Sequence, residues 1–161
     1  MKKKDTVLVV EDDYINRTIL SKIVATNYDV LEASNGLIAL NIIKDNPGIA
    51  AIVVDLIMPV MDGYQLIEQI KKLGLTNLPI LVVTGQDDES KEAEMLGNGV
   101  WDFVRKPYNA KILSVRLENI IQRSQVSLYK EMERALAHDP LTGLHNRSRF
   151  FIKSREMIDN N

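Results

Sequence analysis

The chain has 161 residues, 45% of them hydrophobic and 26% charged, enough for one well-buried core and a short appendage. A formal net charge of -2 shows no basic excess, so neither nucleic acid nor an anionic membrane is expected as a partner. There is no cysteine, which excludes a disulfide framework, a thiolate nucleophile and a cysteine-based zinc site, and suits a reducing interior.

Lys2, Lys3 and Lys4 resemble the start of a signal peptide, but the apolar run behind them lasts only from Val7 to Val10 before Glu11, Asp12 and Asp13 end it. That run is a buried strand, no other segment approaches a membrane span, and the chain reads as soluble and cytoplasmic. Short runs rich in Val and Ile recur at Thr6 to Val10, Tyr28 to Leu31, Ala50 to Val54, Pro79 to Val83 and Val100 to Val104, each followed by a segment with helical spacing. Continuous apolar runs indicate strands covered on both faces, so the expected fold is a doubly wound α/β domain with five parallel strands. Punctuation agrees: Ser34 or Asn35 caps the second helix and Pro47 with Gly48 ends it, while Asp62 caps the third and Gly74 stops it.

In such sheets ligands bind at the carboxyl ends of the strands, where strand order reverses. The residues there are Glu11, Asp12 and Asp13 after the first strand, Asp55 after the third, Thr84 and Gly85 after the fourth, and Lys106 and Pro107 after the fifth. Clustered carboxylates raise one another's pKa unless a cation lies among them. With oxygen ligands only, a hard ion is expected, and Mg2+ fits because it takes one or two carboxylates and leaves a position for a phosphate oxygen. Lys106 adds a point charge suited to a phosphoryl group and Thr84 a hydroxyl donor, which together make most of a phosphoryl-transfer site with Asp55 as the nucleophile.

VLVVEDDYINR, VVDLIMPVMDG, LVVTG and FVRKP, in this order and spacing, resemble the receiver domain of two-component response regulators over roughly residues 4 to 122. The resemblance implies a flavodoxin-like sheet in the order 2-1-3-4-5. It also implies that Asp55 accepts a phosphoryl group from the phosphohistidine of a sensor histidine kinase or phosphotransfer protein. On the same basis Asp12 binds Mg2+ directly, Glu11 binds it chiefly through water, and Ile57 lends its backbone carbonyl. Thr84 and Lys106 match the phosphate-sensing pair and Phe103 the aromatic that changes rotamer on activation, so the receiver domain is expected at residues 1–122. Two departures stand out: Glu11 occupies a position where Asp is commoner, and Ile57 puts an apolar side chain beside the phosphorylation site, where it is expected to slow dephosphorylation.

Other residues have plainer readings. Asp13 is a helix cap, Met58 and Met61 pack the loop around Pro59, and Gly36 and Gly63 serve backbone geometry near helix starts. Trp101 is expected to share the face of Phe103, as a surface reporter or dimer contact. No nucleotide-binding glycine loop occurs. His138 sits in AHDPLT, which superficially resembles a kinase phosphoacceptor box, but Pro140 ends any helix there and a catalytic His138 is not expected.

From Asn109 to Ala137 there is neither proline nor glycine, and Ile112, Leu113, Leu117, Ile120, Ile121, Leu128, Met132 and Leu136 lie among charged residues. This is an extended last helix at 109–137 whose narrow stripe beyond Ile121 suits pairing with a copy of itself. Ser124 and Ser127 interrupt the stripe, which leaves a solvated tail as the alternative. HDPLTGLHNRSRF then resembles the opening of a GGDEF-type diguanylate cyclase domain through Asp139, Leu141, Thr142, Gly143, Leu144, Asn146 and Arg147. No Gly-Gly pair occurs, so residues 138–161 are expected to be a fragment of that domain, frayed beyond about His145 and without cyclase activity. The leading expectation is a phosphorylation switch that promotes a homodimer through the fourth helix, fifth strand and fifth helix, in a parent that makes cyclic di-GMP. A constitutive dimer scaffold is the rival. A flavin binder of the same topology is disfavoured, because the acidic rim repels a flavin phosphate.

Overall fold

The computed structural model describes residues 3–85 and 89–137. Five strands, β1 (Thr6–Val10), β2 (Asp29–Ala33), β3 (Ile49–Asp55), β4 (Ile80–Thr84) and β5 (Asp102–Arg105), pair in parallel in the order β2-β1-β3-β4-β5. The helices are α1 (Tyr14–Ala25), α2 (Gly36–Asp45), α3 (Gly63–Lys72), α4 (Glu89–Leu96) and α5 (Ala110–Ala137). This is the doubly wound, flavodoxin-like arrangement expected from the sequence.

Strand alternation splits the core into two layers. Leu8, Val10, Ile52, Val54, Ile80 and Val82 face a cluster completed by Ala39, Leu40 and Ile43 of α2, Leu66, Ile67 and Ile70 of α3, and Met95 of α4. Val7, Val9, Ala51, Val53, Leu81, Val83 and Val104 face the opposite cluster, built from Leu20 and Val24 of α1 and Leu113, Leu117, Ile120 and Ile121 of α5. The central strands β1, β3 and β4 are therefore apolar on both sides. β2 is an edge strand, with exposed and half-buried residues before Ala33. Burying one Leu or Ile side chain in such a layer stabilises by about 1.5–3 kcal/mol.

Helix starts follow the expected chemistry. The side chain of Asp13 accepts from Asn16 N (2.8 Å), that of Asn35 from Ile38 N (2.9 Å), and Asp62 forms a capping box with Gln65. Asn35 rather than Ser34 caps α2. Gly74, at φ 76°, follows the end of α3 in the left-handed conformation that glycine adopts without penalty.

Two expectations need correction. β2 begins at Asp29, because Tyr28 N still bonds back to Val24 O at the end of α1. β5 begins at Asp102, so alternation does not link Trp101 to Phe103: Phe103 packs against the α2/α3/α4 layer and Trp101 against the α1/α5 layer.

The chain divides into two compact units, with the boundary after Ser124 inside α5. In the first unit Ser124, expected to interrupt the stripe, is buried and its hydroxyl donates to Asn77 O at 2.8 Å. In the second, α5 continues to Ala137 with Val126, Leu128, Tyr129, Met132 and Leu136 exposed. His138 and the cyclase-like motif at 138–161 lie outside the described residues.

Candidate functional site

β1 and β3 are neighbours, and the chain leaves them towards opposite faces of the sheet, which opens a crevice at their carboxyl ends. Asp55 is the last residue of β3 and Thr84 the last of β4, while Glu11 and Lys106 immediately follow β1 and β5. One ligand oxygen from each of Glu11, Asp12 and Asp55 comes within 4.8 Å of the others. Lys106 Nζ joins them, 3.2 Å from Asp55 Oδ2 and 3.4 Å from Glu11 Oε2. Thr84 is buried beside this group, and its carbonyl accepts from Lys106 N at 2.7 Å, so the last turn of β4 holds the lysine's main chain.

Burial is uneven across the cluster. Glu11 is 1% exposed and Asp55 7%, whereas Asp12 is exposed at the mouth of the crevice. Burial, and then the charge of Asp55, push the Glu11 carboxyl from 4.5 up to about 7, against the opposing pull of the Asp13 N–H and of Lys106. For Lys106 burial works downward, but the Asp55 and Glu11 carboxylates outweigh it and hold the ammonium above the ordinary lysine value. Three carboxylates against one ammonium leave a local excess of negative charge in a partly desolvated crevice. An all-oxygen donor set of this kind fits a small hard divalent cation such as Mg2+.

The loop after β3 is set by close backbone packing. Gly63 N donates to Leu56 O at 2.9 Å, and a Cβ on Gly63 would stand 2.6 Å from Asp55 O and 2.8 Å from Leu56 Cα. Only glycine therefore lets α3 approach the strand end that carries Asp55. Gly36 is used in the same way: its N–H donates to Met61 O at 3.0 Å, and an added Cβ would meet Met61 at 2.7 Å. Between these contacts Val60 holds φ 70°, a conformation costly for a β-branched residue. Ile57 N–H makes a long contact to Asp55 Oδ1 (3.4 Å), and the residue is 63% exposed.

The predicted residues Glu11, Asp12, Asp55 and Lys106 thus meet in one cluster, Thr84 adjoins it through Lys106, and Ile57 borders it. Phe103 is half-buried in the α2/α3/α4 layer and touches none of these carboxylates through a hydrogen bond. Sequence reasoning passed over Arg17. Its Nη1 donates to Glu11 O at 2.9 Å and, more weakly, to Asp12 O at 3.4 Å. Its place one helical turn after Asp13 was the available signal.

Comparison with known proteins agrees with this geometry. A histidine kinase P4 from Formosa agariphila is 33% identical over 123 residues, covering 75% of this chain and 9% of its own. The response regulator MprA of a Mycobacterium species is 34% identical over 119 residues, covering 73% of this chain and 51% of its own. The chain therefore spans about a tenth of the first relative and about half of the second. Among solved structures, a response regulator receiver domain protein from Clostridium thermocellum superposes with a TM-score of 0.70 at 25% identity, over 76% of this chain and 98% of its own. Residues 7–118 match the response regulator receiver domain, the family to which this chain belongs.

Proposed function

We propose that the chain is a phosphoacceptor switch in which Asp55 receives a phosphoryl group from a histidine kinase or phosphotransfer protein. The observation that carries this reading is the placement of Lys106 Nζ between Asp55 Oδ2 and Glu11 Oε2 in a three-carboxylate crevice. An Asp55 carboxylate oxygen attacks phosphorus; the P–O bond forms as the P–N bond to the donor imidazole breaks, and the electron pair returns to that ring. Lys106 then faces the phosphoryl oxygens with its positive charge, and the Thr84 hydroxyl offers a donor from the end of β4. Glu11, Asp12, Asp55 and the Ile57 carbonyl would hold Mg2+, which would supply further neutralisation of the phosphoryl charge. Ile57, two residues after Asp55 and exposed, would put an apolar side chain in the way of hydrolytic water.

The output runs through β5 and α5. Arg116 Nη1 donates to Phe103 O (2.7 Å), Arg123 Nη2 donates to Trp101 O (3.1 Å), and the Arg123 guanidinium lies over the Trp101 ring at 5.4 Å. These bonds tie the main chain at Trp101 and Phe103 to α5, so a backbone shift that accompanies the turning of Phe103 on phosphorylation would reach the helix whose distal half carries the exposed apolar side chains Leu128 and Met132. Pairing of two such helices gives an activated homodimer. The Asp-x-Leu-Thr-Gly-Leu-x-Asn-Arg pattern from Asp139 to Arg147 supports a diguanylate cyclase as the output.

Intact mass after incubation with Mg2+ and a small-molecule phosphodonor tests the reading. One added phosphoryl group in the wild type and none in Asp55→Asn is expected, with a shift towards dimer in the phosphorylated protein. Addition to neither protein would move the reading to a constitutive dimer scaffold.

A further inference from the structure

We propose that Arg17 is a positioning residue for the cation site, holding the main chain of Glu11 and Asp12 without itself bonding their carboxylates; the inference rests on the Mg2+ reading above. Arg17 follows three consecutive acids, Glu11, Asp12 and Asp13, yet no ion pair among the described residues joins it to any of them. Its Nη1 instead donates to Glu11 O at 2.9 Å and makes a longer contact to Asp12 O at 3.4 Å. Its own main chain is fixed by Arg17 N donating to Asp13 O at 2.8 Å, and its guanidinium carbon lies 5.6 Å from the centroid of the Tyr14 ring.

The consequence is a turn clamped from its main-chain side. Glu11 N donates to Ala33 O at 3.1 Å, so the peptide groups on both sides of the Glu11 Cα are tied, one to the end of β2 and one to α1. Three carboxylates drawn together repel one another and tend to spread when no cation is bound. A guanidinium that paired with one of them would relieve that repulsion by occupying a ligand oxygen. Arg17 bonds the carbonyls instead, so it restrains the turn without taking a donor from the cation. Outer-shell contacts of this kind commonly change metal affinity by about 10–100-fold when removed.

Calorimetric titration with Mg2+ alone on the wild type, Arg17→Met and Arg17→Lys tests this, alongside the rate of phosphoryl addition at saturating Mg2+. Arg17→Met is expected to weaken Mg2+ binding by about tenfold or more while the saturated rate stays within about twofold of wild type. Arg17→Lys, which keeps the charge but not the planar face against Tyr14, is expected to recover part of the affinity. A folded Arg17→Met protein that binds Mg2+ like wild type overturns the proposal, because a merely structural role at the start of α1 lowers the melting temperature without changing the affinity of the folded protein. If Arg17→Met does not fold, the lysine variant decides: wild-type affinity overturns the proposal and a loss sustains it. Absence of Mg2+ binding by the wild type sinks the cation site and this proposal together, whereas equal affinity in wild type and variant sinks this proposal alone.

Discussion

In the absence of divalent cations, stability should fall as pH rises from about 4.5 to 7, and Glu11 should be the cause. Its carboxyl is held at about 7 in the fold, chiefly by burial and then by Asp55, against 4.5 as the ordinary value. The folded protein therefore holds this proton more tightly than the unfolded chain does. Below about pH 4.5 both states are protonated and the fold keeps the whole benefit; between 4.5 and 7 the unfolded chain ionises first, and the benefit is lost as pH climbs through the folded value. At 1.36 kcal/mol per pH unit of displacement, the loss approaches about 3 kcal/mol, reduced towards about 1 kcal/mol by solvent at the open side of the crevice where Asp12 is exposed. Lys106 does not change this slope, because its raised value affects stability only near and above the ordinary lysine range.

Urea unfolding of the wild type and Glu11→Gln from pH 5 to 8 with chelator present isolates the effect as the difference between the two slopes, since the other carboxylates are common to both. Mg2+ should then act more strongly as pH rises, because binding requires the ionised carboxylates and releases the Glu11 proton. Equal slopes in the two proteins, or the same stabilisation by Mg2+ at pH 5 and pH 8, would refute the reasoning.

Three substitutions test the loop geometry. Gly63→Ala should cost about 1–3 kcal/mol and slow phosphoryl addition, because the new methyl meets backbone at 2.6 and 2.8 Å and neither Asp55 O nor Leu56 Cα can rotate away; a variant as stable and as reactive as wild type would show that α3 can shift freely. Val60→Gly should raise the urea midpoint by about 0.5–1 kcal/mol equivalent, since relief of the left-handed strain, about 1–2 kcal/mol, exceeds the added chain entropy of glycine and little burial is lost at an exposed site; a lower midpoint would contradict this. Ile57→Asn should shorten the half-life of the aspartyl phosphate, followed by intact mass over time, because a polar side chain replaces the apolar one beside Asp55; an unchanged half-life disposes of the role given to Ile57.

Much of this site was legible in the sequence because one rule places it. A run such as Ala50 to Val54 that must be apolar on both faces fixes where the strand lies, and the polar residues within two positions of its end fall at the rim. Applied to β1, β3, β4 and β5, the same rule brought Glu11, Asp55, Thr84 and Lys106 to one end of the sheet before any distance was known. It fails where the strand's start is not marked by composition. Val100 and Trp101 are as apolar as a strand but precede it, and the alternation expected to link Trp101 with Phe103 broke at Asp102.

What pattern could not supply was any role decided by main-chain direction. Ser124 looks like a break in an apolar stripe until Asn77 O is found opposite it, and Val60 looks like an ordinary loop residue until the contacts of Met61 with Gly36 and of Gly63 with Leu56 fix the chain on either side. Arg17 is the clearest case. From composition, an arginine one turn beyond three acids should pair with a carboxylate, and only the direction of the Glu11 and Asp12 carbonyls shows that it does not. The distinction has a chemical consequence: a paired arginine would neutralise the crevice itself, whereas one bonded to carbonyls leaves the negative charge in place for a cation and an incoming phosphoryl group to meet.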